Sequence, residues 1–152
     1  MLIISHRGNI NGPNPKFENS LTYIISALDI GFNVEIDLWC KNGLLYLGHD
    51  EPQYLLNKNN EKILEDHRVW VHAKNLDACD YLLENKKVHF FFHNNDPCTL
   101  TSRNIIWMFP KKGSYKKAIF VLPELADDIK IDSKNLYGVC TDYPLDYKNF
   151  YD

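Results

Sequence analysis

Asn33-Val34-Glu35-Ile36-Asp37-Leu38 is the stretch on which the reading of this chain turns. Side chains alternate faces along a strand, so Glu35 and Asp37 share one side while Val34, Ile36 and Leu38 share the other. Branched apolar residues around two acids suit a strand covered on both faces better than a half-solvated edge. Two adjacent carboxylates in such a place repel each other and resist the loss of water. A bound cation relieves both costs, and hard divalent cations take oxygen ligands of this kind. Two more apolar runs with polar ends lie nearby: Leu2-Ile3-Ile4-Ser5-His6-Arg7, and Leu44-Leu45-Tyr46-Leu47 leading into Gly48-His49-Asp50. Strands that end in His, or carry paired acids, point to a metal-assisted site built where strands finish.

Further strand patterns follow these, and the spacing predicts strands over 2–6, 33–39, 44–48, 69–73, 88–93, 105–109, 118–122 and 137–141. Helical stretches are predicted over 19–31 and 76–85, with a third near 58–66, so the chain reads as βα units. Asn42-Gly43 is a hairpin signal before the 44–48 strand, and Gly31 sits where a helix C-terminus favours glycine. In the 76–85 helix, Asp77, Asp80 and Glu84 mark a polar side and Leu76, Cys79 and Leu83 the expected buried one. No repeat, low-complexity tract or linker divides residues 1–152, which read as a single domain.

Composition narrows the classes. Hydrophobic residues at 45% and charged residues at 24% are ordinary for a globular domain. A net charge of −3 gives no support for a nucleic-acid or membrane-surface partner. No apolar run has the length of a membrane span, and Met1–Ile4 is too short for a signal-peptide core, so a cytoplasmic location is expected. Cys40, Cys79, Cys98 and Cys140 are scattered without a CxxC pair, which argues for free thiols rather than a zinc ribbon or a redox motif. The aromatic run Phe90-Phe91-Phe92 is expected in the core.

The motifs His6-Arg7-Gly8, Glu18-Asn19-Ser20 with Ala27 and Gly31, Val34-Glu35-Ile36-Asp37-Leu38 and His49-Asp50 resemble, in order and spacing, those of the glycerophosphodiester phosphodiesterases. Gly138-Val139-Cys140-Thr141-Asp142-Tyr143-Pro144 looks like the last barrel strand of that family. The N-terminal third carries most of the resemblance. It implies a TIM barrel, cleavage of a small phosphodiester, a place in lipid metabolism and a divalent cation, calcium or magnesium. A full TIM barrel takes roughly 250 residues. The expectation for this length is therefore an α/β fold, a reduced TIM barrel of seven or eight strands with short or missing later helices. The run from His49 to Val69 leaves no room for the family's usual insertion.

The resemblance also assigns roles. His6 and His49 are the expected catalytic pair, able to move protons near neutral pH. Arg7 and Lys74 are the expected phosphate ligands, Arg7 through its planar fork. Glu35 and Asp37 are expected to hold the metal. In Val69-Trp70-Val71-His72-Ala73-Lys74 the chain departs from the family, which has an acid two residues before the lysine. His72 stands there instead, and imidazole suits manganese or zinc better than magnesium or calcium. Glu18-Asn19-Ser20 stands at the start of the first helix, with Asn19 or Ser20 as its expected cap; the resemblance places the acid at the Glu18 position beside the metal site, and Asp50 is expected to orient the loop or His49. His93, Trp107 and Glu124 fall near strand ends as pocket candidates, while Asp142 fits a turn or a pocket edge equally. His67 and His89 read as structural. Two rivals stay open: a phospho-ligand binder without turnover, and a lyase or phospholipase on the same scaffold.

Overall fold

A computed structural model describes residues 1–109, 115–126 and 136–151. Its strands are β1 Leu2–His6, β2 Asn33–Lys41, β3 Leu44–Leu47, β4 Tyr54–Leu56, β5 Val69–Ala73, β6 Phe90–Phe92, β7 Cys98–Leu100, β8 Ile106–Met108, β9 Ala118–Val121 and β10 Gly138–Thr141. The helices are α1 Leu21–Ile30, α2 Leu76–Leu83 and α3 Pro144–Tyr151. Seven strands run parallel in the order β6-β5-β2-β1-β10-β9-β8, which is chain order around a ring. The long β2 continues past its parallel partners into an antiparallel hairpin with β3, and β4 adds to that hairpin. β7 folds back antiparallel on β8. This is the reduced TIM barrel expected from the sequence.

Between β6 and β8 the described residues form no ladder. The seam is bridged instead by Ser102 N–H donating to Phe90 O (2.7 Å) and Thr99 Oγ1 donating to Phe92 O (3.0 Å). Inside, the Phe91 ring lies 4.4 Å from that of Trp107, spanning the same gap. These rings fill the barrel interior with Ile4, Trp70, Ile119, Val121 and Cys140. Gly138 belongs there too: a Cβ on it would stand 2.5 Å from Leu2 O, so only glycine lets β10 lie this close to β1.

The outer face of β2 and β5 (Val34, Ile36, Leu38, Val69, Val71, Ala73) packs under Ile24, Ala27 and Leu28 of α1 and Ala78 and Leu82 of α2. Ser20 caps α1 through Tyr23 N–H, and Gly31 ends it in the left-handed region at φ 100°. The expected hairpin turn is present, with Asn42 and Gly43 at φ 54° and 74°.

Helix α2 buries a different stripe from the expected one. Leu76 and Leu83 are 72% and 64% exposed, whereas Ala78 and Leu82 are fully buried. The cause is Asn75, whose side chain caps Ala78 N–H and also pairs with both backbone groups of Cys40 on β2. That tie turns residues 75, 78, 79 and 82 toward the sheet. The stretch near 58–66 forms only a short 3-10 turn, Glu61–Glu65. The strands β4 and β7 are three residues each, and α3 starts on Pro144. None of the three was expected: the two strands are too short to show a period, and the sequence Pro144–Tyr151 carries no clear apolar stripe. All four cysteines are free, and no helix among the described residues is long and apolar enough to cross a membrane.

His89 sits deep in the barrel, 2% exposed, with its ring 4.0 Å from Trp70 and its Nε2 unpartnered. Burial, helped by Arg103, lowers its pKa from 6.5 to about 4. A histidine held neutral in the fold but charged in the unfolded chain costs stability as pH falls below 6.5. The expected loss is about 2 kcal/mol between pH 7 and pH 5. Urea unfolding of the wild type and His89→Gln at both pH values should show that loss in the wild type alone. Equal pH dependence in the two proteins would clear His89 of it.

Candidate active site

The carboxyl ends of β1, β2 and β5 bring His6, Glu35, Asp37 and His72 together, as register dictates. His6 is paired with Glu35 across β1 and β2, and Asp37 with His72 across β2 and β5. Asp37 is the most heavily contacted of these groups. Its Oδ2 accepts from Asn19 Nδ2 at 2.9 Å and lies 3.3 Å from Arg7 Nε. Its backbone N–H donates to Asn19 Oδ1 at 2.8 Å. Asn19 adopts φ 63°, a left-handed conformation that asparagine tolerates, and it is 1% exposed. The Ser20 side chain, not that of Asn19, caps the helix.

Asp37 Oδ1 lies 3.1 Å from His72 Nδ1 and 3.3 Å from Lys74 Nζ, yet neither approach has hydrogen-bond alignment, so this buried oxygen is unsatisfied. Burial alone would raise the Asp37 pKa, but His72, Lys74 and Arg7 outweigh it and hold the carboxyl far below its usual range. Glu35 goes the other way, pushed up by burial and by Asp37. Its carboxylate accepts from Arg7 N–H at 3.3 Å. Ligand atoms of Glu35, Asp37 and His72 all fall within 4.8 Å of one another, a group that could hold a metal ion. The orphaned Asp37 Oδ1 beside an imidazole nitrogen is what a cation would complete. Two carboxylates with one imidazole fit manganese or zinc as well as magnesium.

His6 donates Nδ1–H to Asp142 Oδ1 at 2.8 Å, and its Nε2 faces Glu35 at 4.0 Å. Burial works against a charge on His6, but the Asp142 hydrogen bond and Glu35 outweigh it and raise its pKa. Asn9, completely buried, donates from Nδ2 to both Asp142 and Glu18, tying the first loop to the end of β10. Glu18 also accepts from Arg7 Nη1 at 3.1 Å.

His49 arrives from the β3 end, where Trp39 Nε1 donates to Gly48 O and Gly48 N–H to Asp37 O. Gly48 is required at that corner: a Cβ would stand 2.2 Å from Glu51 O. His49 bonds Asp50 at 2.7 Å. Partial burial, with Arg7 and Lys74 nearby, lowers its pKa despite the pull of Asp37.

His6, Arg7, Glu35, Asp37, His49 and His72 line one cavity of about 210 Å³, closed on its far side by His93, Trp107, Phe109, Val121 and Leu122. A second recess of about 230 Å³ shares Arg7 and His49 and adds Pro15, Glu18, Asn19, Asp50 and Gln53. The larger groove of about 680 Å³ beside the C-terminal end of α2 gathers no acid–base pair among its lining residues; the titratable side chains collect in the two smaller cavities.

Of the pocket candidates, His93 stacks on His72 at 4.8 Å and Trp107 lines the wall. Glu124 lies outside the cavity lining; its carboxylate accepts from Thr141 Oγ1 and Asp142 N–H and so braces Asp142. Sequence reasoning did not single out Asn9 or the Asn19–Asp37 clamp, and it left Asp142 between two roles. Only the paired register of β1 and β10 brings Asp142 to His6.

No protein-family model matches the chain, and no curated protein sequence does either. Among solved structures, it is similar to the crystal structure of "a putative glycerophosphodiester phosphodiesterase from Galdieria sulphuraria", at 16% identity and a TM-score of 0.56. That match covers 98% of this chain and 96% of the other, so the reduced barrel corresponds to that fold nearly end to end.

The Asn19 clamp has a measurable consequence. Asn19→Ala leaves the Asp37 N–H and Oδ2 short of partners in a buried place, at a cost of about 2–3 kcal/mol. Asn19→Asp should cost more, by adding a third acid beside Glu35 and Asp37. Urea midpoints of the metal-free proteins test this, and a midpoint unchanged in Asn19→Ala would contradict the clamp.

Proposed function

We propose that this chain is a metal-dependent phosphodiester hydrolase acting on a small glycerophosphodiester-like substrate. The observation that carries the reading is convergence. Arg7, two histidines and the Glu35-Asp37-His72 group line one cavity, with Lys74 Nζ 3.3 Å from Asp37 Oδ1, at the carboxyl ends of parallel strands where barrel enzymes act. The fold shared with the Galdieria sulphuraria protein supports the same class.

In this reading Glu35, Asp37 and His72 hold a divalent ion, whose contribution is Lewis-acid polarisation of a phosphoryl oxygen. Arg7 and Lys74 bind the phosphate and offset the charge that builds on it. His6, oriented by Asp142, keeps its proton and presents Nε2 to the cavity as the acid. His49, beside two cations, stays neutral and accepts a proton from the attacking hydroxyl as the base. Activity then needs one histidine protonated and one neutral, giving a bell-shaped pH profile. His6→Ala and His49→Ala should each lower kcat by at least ~100-fold, and the double variant should lose little more. A His49→Ala enzyme with normal turnover would remove His49 from the mechanism.

A second reading, ligand binding without turnover, draws on the Lys74 and Arg7 contacts, which already set positive charge against Asp37. Metal titration separates the two. Calorimetry should show manganese or zinc binding in the wild type, none in Glu35→Gln/Asp37→Asn, and a shift toward magnesium or calcium in His72→Glu. Phosphorus NMR of glycerophosphodiesters should show hydrolysis by the metal-loaded wild type. A wild type inert with every metal, beside an active His72→Glu, would establish the second reading.

A further inference from the structure

The connection between β6 and β8 leaves part of the barrel wall bare. In a full βα barrel a helix follows each strand and covers its outer face. Here that connection carries only the three-residue β7 and a turn, while α2 packs on β2 and β5. The outward rings of β6, Phe90 and Phe92, therefore stay half-buried in the groove of about 680 Å³. Leu83 on one wall and Leu100 on the other are 64% and 63% exposed.

The floor of this groove asks for few hydrogen bonds. Phe90 N–H donates to Ser102 Oγ at 3.0 Å, while Phe90 O and Phe92 O accept from Ser102 N–H and Thr99 Oγ1. With those groups already bonded, an alkyl chain laid on the rings displaces water at little polar cost. The volume falls inside the range of ordinary small-molecule sites, roughly 300–1,000 Å³.

Charge selects the other end of the ligand. The chain carries a net charge of −3, yet the lining of this groove includes Lys86 and Arg103 and no acid. Arg103 Nη2 donates to Lys87 O at 2.9 Å, which brings the guanidinium to the turn that holds Lys86. Glu65 nearby is taken by Lys87 and Asn85, and Glu84 lies outside the lining. Among the described residues Lys86 and Arg103 form no ion pair of their own. Lys86 precedes β6 and Arg103 precedes β8, so both cations stand at the amino-terminal end of the barrel, opposite the candidate active site.

We propose that this groove binds a single-chain anionic amphiphile, with its alkyl chain on Phe90, Phe92, Leu83 and Leu100 and its head group between Lys86 and Arg103. The alkyl chain fills the place of the helix that the shortened barrel lacks. The site is separate from the phosphodiesterase reading and does not depend on it.

Calorimetry of the full chain with octanoate, decanoate and dodecanoate, each below its micelle concentration, tests the proposal. Two added methylenes should tighten binding about tenfold, and decanoate should bind at least tenfold tighter than decyltrimethylammonium. Lys86→Gln/Arg103→Gln should weaken decanoate about fivefold and leave decanol unchanged. Leu83→Ser/Leu100→Ser, at two exposed positions, should weaken both ligands. Equal affinity for decanoate, decanol and decyltrimethylammonium would overturn the proposal. Binding to phosphatidylglycerol vesicles without uptake of monomeric decanoate would also overturn it, making the face a membrane contact. A dimer in sedimentation that Leu100→Ser dissolves and decanoate leaves intact would give the groove to a second copy of the chain instead.

Discussion

Everything at the mouth of this barrel is arranged around one buried carboxylate. Asp37 cannot remain ionised on a strand covered on both faces, next to Glu35, unless positive charge and donors surround it. Arg7 comes from the turn after β1, Asn19 from the start of α1, and His72 and Lys74 from the end of β5. These contacts tie three segments to β2. Removing one partner of a buried charge in such a group costs about 3–5 kcal/mol, so the site is also part of what fixes the fold. The arrangement satisfies Oδ2 and the backbone N–H while leaving Oδ1 without an aligned donor, which is the position a cation would fill.

The barrel reaches this with few helices. Parallel register places successive strand ends at one level, so His6, Glu35, Asp37 and His72 need no long loops to meet. The supports are short: Gly48 at the corner before His49, Asn75 pinning α2 to β2, and Asn9 linking Glu18 to Asp142. Where β6 and β8 lack a ladder, stacked Phe91 and Trp107 fill the seam from inside. That ring stack also continues through His72 and His93, so the packing of the interior and the placing of the site are one structure.

Much of this was legible before any coordinates. Alternation of acids and branched residues at 33–38 marks a strand buried on both faces and puts Glu35 and Asp37 together. Strand-end placement finds His6, Arg7 and His49. What stayed hidden depends on pairs distant in the chain. Asn19 looks like a helix cap because capping is the commonest use of such a residue, and only its position beside Asp37 reveals the clamp. Asp142 becomes the partner of His6 through β1–β10 pairing, which no local pattern encodes. The buried stripe of α2 was misplaced for a similar reason, since a tertiary tie from Asn75 overrode the apolar spacing.

A shared ion held by Glu35, Asp37 and His72 is what the proposed activity requires above all. Anomalous diffraction from crystals grown with manganese measures this directly. A single strong peak is expected within coordination distance of a carboxylate oxygen of each acid and of His72 Nδ1. A protein with manganese bound only at surface acids, and no peak in this cavity, would contradict it.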